Sequence, residues 1–411
     1  KAPYAERMAL DLRLPMIRLV DGTGGGGSVK FLEKMDRTYV PANPAMEIMD
    51  ELLSTVPVMS AALGSVAGLG AARVVFSHFS VMPQKTAQLF VAGPPVVEAA
   101  FGRKVDKEEL GGSEIHTSGF GTVDNEVGSE EEAFEQIRRF LSYMPNSVYE
   151  VPQVKDATDP PDRREEELIG IIPKNKRLPY SVRRLLALVL DEGSFFEMGA
   201  KHGRSVVTGL ARLLGRPVGV MANDPKFYGG AITAHAADKM VRFIDMCDTF
   251  HLPVVHFVDN PGFMIGVEAE KQATIRFGAR FIFAVYQATV PWCSIILRRV
   301  FGVAGAAHGN HSRLNLRYAW PSGDWGSIPI EGGVQAAYRR QIEAAEDPQA
   351  LREEIERRLS KVTSPFRTAE MFGIEEIIDP RDTRPLLCEW IEAAYRLLPS
   401  ELGLKKRGMR P

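Results

Sequence analysis

The chain has 411 residues, 45% of them hydrophobic, which is enough for two ordinary domains that each bury a full core. Lys and Arg number 50 against 52 Asp and Glu, a formal net charge of −2, and no apolar run is long enough to span a bilayer, so neither nucleic acid nor a membrane is an expected partner. Cys247, Cys293 and Cys388 lie far apart without paired ligand spacing, which argues against a disulfide framework and a zinc ribbon, gives no metal site and fits a reducing compartment.

The chain opens inside an expected helix, Tyr4 to Leu12, with no initiator Met or signal peptide before it, which predicts a start that is cut. A strand follows over Leu14 to Gly22. Next come four consecutive glycines, Gly24 to Gly27, whose unshielded amides suit a phosphate cradle. No Gly-Lys-Ser/Thr follows and a dinucleotide spacing is absent, so a flexible loop is an equal reading. A helix from Met46 to Thr55 leads into Val56 to Ala72, a strand that ends in a small-residue turn. Gln84 to Ala92 holds a short apolar strand, Val96 to Phe101 a helix, and Glu130 to Tyr143 a helix with Phe134, Ile137 and Leu141 on one face. His116 has no carboxylate orienter nearby and reads as structural in preference to a general acid or base. Pro145 to Arg164, rich in proline and followed by charge through Glu167, reads as a linker.

Beyond it the spacing predicts a helix over Ser181 to Asp191, a strand over Val206 to Leu213, a turn at Gly215-Arg216-Pro217 and a strand over Val218 to Ala222. Ala234 to Thr249 is a helix with Met240, Phe243, Ile244 and Cys247 on one face. Strands and helices alternating at this pace predict an α/β fold with parallel strands. Val290 to Ala307 reads as a buried strand running into a small-residue turn where a helix starts, so unpaired backbone amides point at whatever docks there. Tyr318-Ala319-Trp320-Pro321 ends a strand. Asp347 caps a helix with Pro348 at its first position and Leu351, Ile355 and Leu359 inward. The basic tail Lys405 to Pro411 receives no role.

Two segments recur. Val56 to Ala72 aligns without gaps on the stretch from Val290, pairing Pro57 with Pro291, Ser60 with Ser294, Leu63 with Leu297 and Gly68 with Gly302. Leu14 to Gly22 matches Leu252 to Asn260, and the opening prolines of the two segments stand 42 residues apart in one copy and 38 in the other. Recurrence of both, in order and at similar spacing, predicts an internally duplicated fold. Asp21 and Asp259 end equivalent strands and read as helix or turn caps. No Ser-His-Asp, metal or paired-carboxylate constellation of diagnostic spacing appears. What remains is one backbone-amide site per repeat, each a candidate oxyanion hole with main-chain donors.

Many short motifs carry a resemblance. Asp159-Pro160-Pro161-Asp162-Arg163, Pro179-Tyr180, Phe195-Phe196-Glu197, Gly209-Leu210-Ala211-Arg212, Gly215-Arg216-Pro217-Val218-Gly219, Phe257 to Phe263 and Tyr318-Ala319-Trp320-Pro321 stand in the order found in the carboxyltransferase β subunit of biotin-dependent acyl-CoA carboxylases. Phe90 to Pro95, and Leu110-Gly111-Gly112 through His116, do the same in the first half, so nearly the whole chain resembles this family.

The resemblance implies a duplicated crotonase-like α/β fold with two homologous domains. Residues 1–158 would be an incomplete amino-terminal, acyl-CoA-side domain, and residues 159–411 the carboxy-terminal, biotin-side domain. It implies that Gly68 and Leu69 hold the thioester enolate oxygen and Val303 and Ala304 the ureido oxygen of biotin. Gly24, Gly25, Gly70, Gly302, Gly305 and Ala306 would line the substrate. In the family, carboxybiotin releases CO2, its ureido nitrogen takes the proton, and the enolate captures CO2 at the α- or γ-carbon of acyl-CoA. Biotin would sit covalently on a biotin carboxylase/biotin carboxyl carrier partner. The chain would form a homo-oligomer, a ring of six β subunits with active sites between subunits, in a bacterial cytoplasm or the mitochondrial matrix.

The chain also departs from the family. Leu69 and Val303 replace the usual second glycine of each turn, and the loop Thr23 to Ser28 replaces Gly-Gly-Ala. Ile330-Glu331-Gly332-Gly333 replaces a Met-Gly tract. Gly305 and Ala306, followed by Ala307, stand where a propionyl-specific enzyme carries Tyr and Asp, which predicts a roomier acyl pocket. Two other roles share the pattern: the decarboxylase subunit of a biotin-dependent sodium pump, and a non-catalytic scaffold subunit.

Overall fold

The computed structural model describes residues 1–22, 28–40, 46–157, 159–311 and 314–406. Among the described residues of the first half, six strands form: β1 (Met16–Val20), β2 (Val58–Ala62), β3 (Ser65–Ala67), β4 (Phe79–Pro83), β5 (Gln88–Phe90) and β6 (Asn125–Val127). All pairings are parallel, giving a sheet of order β1-β2-β4-β6 and a separate pair β3-β5. β2 and β4 are buried at every position, as parallel strands covered on both faces must be.

Eight strands follow among the described residues: β7 (Phe196–Met198), β8 (Val206–Leu213), β9 (Arg216–Asn223), β10 (Val254–Asn260), β11 (Trp292–Phe301), β12 (Asn315–Ala319), β13 (Asp324–Gly326) and β14 (Glu376–Ile377). They form one sheet in the order β14-β12-β11-β10-β9-β8-β7, with β13 on the far end of β11. The expected parallel pairing holds from β9 to β14, and β7, β8 and β9 add an antiparallel edge. Leu213 faces Arg216, and the two residues between them, Leu214 and Gly215, take φ of 51° and 71°. Two successive left-handed residues make a tight turn that returns the chain on itself, which a parallel crossover cannot do.

The duplication is written in the register. Met16 pairs with Val58 and Val254 with Trp292, and the next four pairs advance in step, ending at Val20 with Ala62 and Val258 with Ile296. These are the residues aligned between the repeats. β4 beside β2 then corresponds to β12 beside β11, β6 to β14, and the pair β3-β5 to the end of β11 with β13.

Helices join the halves. Ala234–Thr249 starts where the Thr233 hydroxyl accepts from the Ala236 amide at 3.1 Å, and it buries Met240, Phe243, Ile244 and Cys247 on one face. Those residues enter a core with Met59 and Phe79 of the small sheet, Phe140 of the Glu130–Leu141 helix, and Trp292. The opposite face of the large sheet packs on Leu185 and Val189 of the Val182–Val189 helix and Leu387 and Ile391 of the Thr383–Leu397 helix.

The expected linker has no helix or strand among its described residues over 145–164. It is nonetheless fastened on both sides. The Val148 amide donates to Thr55 O at 3.0 Å, the Lys155 amide to Gly215 O at 3.1 Å, and the buried Arg384 guanidinium to Pro160 O at 2.9 Å. Its backbone groups find partners on neighbouring elements, so proline and charge here prevent regular structure without preventing packing.

Candidate active site

β3 ends at Ala67, and the Leu69–Val75 helix begins after Gly68, whose φ is +63°. β11 ends at Phe301, and Gly302, at φ +64°, opens the Gly302–Ala306 helix. A Cβ is disfavoured in this region by about 1–2 kcal/mol, so glycine at both aligned positions is a backbone requirement of the turn. The amides of Leu69, Gly70, Val303 and Ala304 meet no acceptor among the described residues.

Gly68 differs from its expected role. Its amide donates to Phe90 O at 3.2 Å, extending the β3-β5 ladder, and so is not open to a ligand. The first-half pair that matches Val303 and Ala304 is Leu69 and Gly70, one residue further on.

The bulky residues at the turns do not fill them from within. Leu69 is 37% exposed and Val303 67% exposed, while Ala304 is buried in the core. A Cβ on Gly70 would lie 3.0 Å from Val66 Cγ1, and one on Gly305 would lie 2.8 Å from the Val300 carbonyl carbon. Gly305 is therefore a packing requirement against β11, and Ala307 is buried, which leaves Ala306 as the exposed member of the trio expected to widen an acyl pocket. Gly24 and Gly25 lie outside the described residues.

Asp259 is not a cap. Buried at the end of β10, it accepts from Arg298 Nη2 at 2.9 Å, from Arg299 Nε at 2.7 Å, from the Arg299 amide at 3.1 Å and from the Tyr180 hydroxyl at 3.2 Å. Burial works to raise its pKa, but the bonds and charges of Arg299 and Arg298 outweigh that and hold the carboxyl below its ordinary range. The two arginines go on to Lys176 O and Leu178 O, and to Gly229 O, fastening the last turn of β11 just ahead of Gly302. The sequence alone does not reveal this hub. Its signal was two adjacent arginines in an otherwise apolar, buried strand, where charge demands a partner.

His116 also settles. Its Nε2 donates to Leu89 O at 2.7 Å, and burial lowers its pKa, so it ties the Ser113–Ser118 helix to β5.

Two glycine-hinged turns with unpaired amides thus stand at matched ends of the duplicated parallel strands. Residues 1–409 match the carboxyl transferase domain family, and the chain belongs to it. The carboxyltransferase subunit of propionyl-CoA carboxylase from Haloferax mediterranei is 36% identical over 353 residues, covering 85% of this chain and 68% of that protein. The beta4 subunit of the biotin-dependent long chain acyl-coenzyme A carboxylase of Mycobacterium tuberculosis is 36% identical over 343 residues, covering 82% and 66%. The transcarboxylase 12S crystal structure, a hexamer assembly with methylmalonyl-coenzyme A bound, superposes with a TM-score of 0.86 at 29% identity, over 100% of this chain and 76% of that one. The chain thus spans about two thirds of the length of the curated relatives it matches.

Proposed function

We propose that this chain is the component of a biotin-dependent acyl-CoA carboxylase that moves a carboxyl group from biotin, held on a biotin carboxylase/carrier partner, to an acyl-CoA. The observation that carries the reading is the repeated turn: Gly68 and Gly302 at φ +63° and +64°, each followed by two amides that meet no acceptor among the described residues. An enolate oxygen and a ureido oxygen are both acceptors that want two N–H donors, so two matched turns suit two such substrates. Leu69 and Gly70 receive the thioester oxygen, and Val303 and Ala304 receive the ureido oxygen. Gly68 shapes the first turn without donating.

Biotin, when bound, supplies the nitrogen that carries the carboxyl group. The chain's part is to fix two oxygens with preorganised main-chain donors, which act most strongly where charge develops in the transition state. The acyl-CoA side falls within residues 1–158 and the biotin side within residues 159–411. Subunits assemble as a ring of six, with each active site shared across a subunit boundary, in a bacterial cytoplasm or a mitochondrial matrix. The outward Leu69 and Val303 side chains leave the amides serviceable, which favours catalysis over a scaffold role. The decarboxylating direction would use the same residues, and dependence on a sodium-translocating membrane partner separates it.

The test is a panel of acyl-CoA thioesters offered to the purified complex with ATP and labelled bicarbonate. Thioester-dependent incorporation of label is expected. A complex whose carrier is carboxylated but which labels no thioester overturns the reading.

A further inference from the structure

Beneath each turn the strand pair carries the same device. Arg18 and Ser60 are registered partners across β1 and β2, and His256 and Ser294 are registered partners across β10 and β11. In the first copy Arg18 Nη1 donates to Arg73 O at 3.2 Å and to Phe76 O at 2.6 Å, and Ser60 Oγ donates to Arg73 O at 3.4 Å. Arg73 lies in the Leu69–Val75 helix and Phe76 closes it. In the second copy His308 O accepts from His256 Nδ1 at 3.3 Å, from Trp292 Nε1 at 2.9 Å and from Ser294 Oγ at 2.5 Å. His308 stands two residues past the Gly302–Ala306 helix, and its own Nδ1 donates to Gly305 O at 2.5 Å.

Arg18, Ser60, His256, Trp292 and Ser294 are all buried. A hydroxyl inside β2 or β11 carries a desolvation cost unless it makes a bond, and in both strands the bond it makes is to the far end of the adjacent turn. The His256 ring donates from Nδ1 and leaves Nε2 without a partner, so its one polar contact is that same carbonyl. The two sets differ in charge. Arg18 brings a guanidinium that Glu6 balances at 3.2 Å, whereas the second set is histidine, serine and tryptophan.

We propose that Arg18 with Ser60, and His256 with Ser294 and Trp292, are positioning residues, each set clamping one turn from behind so that its open amides meet one substrate oxygen. The first set serves the acyl-CoA and the second serves biotin. Donors that must already be in place gain nothing from a turn free to drift, and a misplacement of about 1 Å is enough to cost most of their effect. This rests on the carboxyltransferase reading for the identity of the substrates, but the clamp itself does not.

The test compares Ser294→Ala with Trp292→Phe against Ser60→Ala with Arg18→Lys, in the full chain. Amide hydrogen exchange needs no turnover, so it probes the clamp even if the wild-type chain is inert with every thioester. The first pair is expected to speed exchange over 302–308 and leave 69–76 unchanged, and the second pair to do the reverse. Transfer of the carboxyl group from a carboxyacyl-CoA to free biotin supplies the kinetic arm. There the first pair should raise KM for biotin about tenfold with KM for the CoA substrate within about twofold, and the second pair the converse. If Arg18→Lys does not fold, Ser60→Ala alone carries the same pattern at about threefold. Unchanged exchange at both turns, or equal effects on both KM values, overturns the proposal.

Discussion

Ala304 is the third residue of its short helix, where an amide has no intrahelical partner, so proline removes no helix hydrogen bond there, although its ring must fit against the core and restrains Val303. Ala304→Pro should therefore keep the fold and lose activity, by about 3–4 kcal/mol in the barrier, or roughly two to three powers of ten in kcat. Near-normal turnover with an unchanged melting temperature would move the donor pair by one residue. Asp259 behaves differently because its role is structural. Asp259→Ala strands Arg298, itself buried, and should cost about 3–5 kcal/mol in a denaturant titration; a loss under about 1 kcal/mol would mean the arginines find other partners. Gly68 and Gly302 were legible in sequence because a left-handed turn leaves a glycine, whereas the Asp259 hub was not. A carboxylate at a strand end looks like a cap until its partners, 39 and 40 residues away, are placed beside it.

At the scale of elements, the long periodic helices and the two repeated strand pairs read directly from sequence. Val206–Leu213 and Ala234–Thr249 appear with the expected ends. β4 and β6 did not, since Ser80 and Pro83 break the apolar run and Asn125–Val127 is only 3 residues long. Gly215-Arg216-Pro217 marks a turn in the sequence without showing that β8 and β9 reverse direction there. Gly215 makes that reversal and also receives the Lys155 amide, and a Cβ there would meet the Lys155 carbonyl oxygen at 1.9 Å. Gly215→Ala should thus cost more than the roughly 1–2 kcal/mol of left-handed strain alone, because the connector must also move. Equal unfolding midpoints for variant and parent would show that the connector is not fastened there.

For the whole molecule, the halves are locked by Arg242, which pairs with Asp124 and donates to Ser77 O at 3.0 Å across the boundary. Buried histidines surround the same region and the strands beside it. Burial pushes His78 and His256 down to about 3 and His202 and His251 down to about 4, from an ordinary 6.5. Unfolding releases these rings to take up protons, so stability present above about pH 6.5 is lost as pH falls toward 4, at up to about 1.4 kcal/mol per pH unit for each histidine. A stability flat between pH 7 and pH 5 would show that the rings protonate in the folded state. The two turns, one per half, are also expected to meet across subunits, so sedimentation should give at least a dimer and, at full assembly, a hexamer. A stable, active monomer would contradict that.

The most direct measurement is decarboxylation of a carboxyacyl-CoA by the isolated chain with and without free biotin. Turnover is expected to require biotin and to be lost in Ala304→Pro and, equally, in Gly70→Pro, since in the proposed roles one variant removes a donor to biotin and the other a donor to the thioester. Turnover without biotin, or turnover that survives both substitutions, would contradict it.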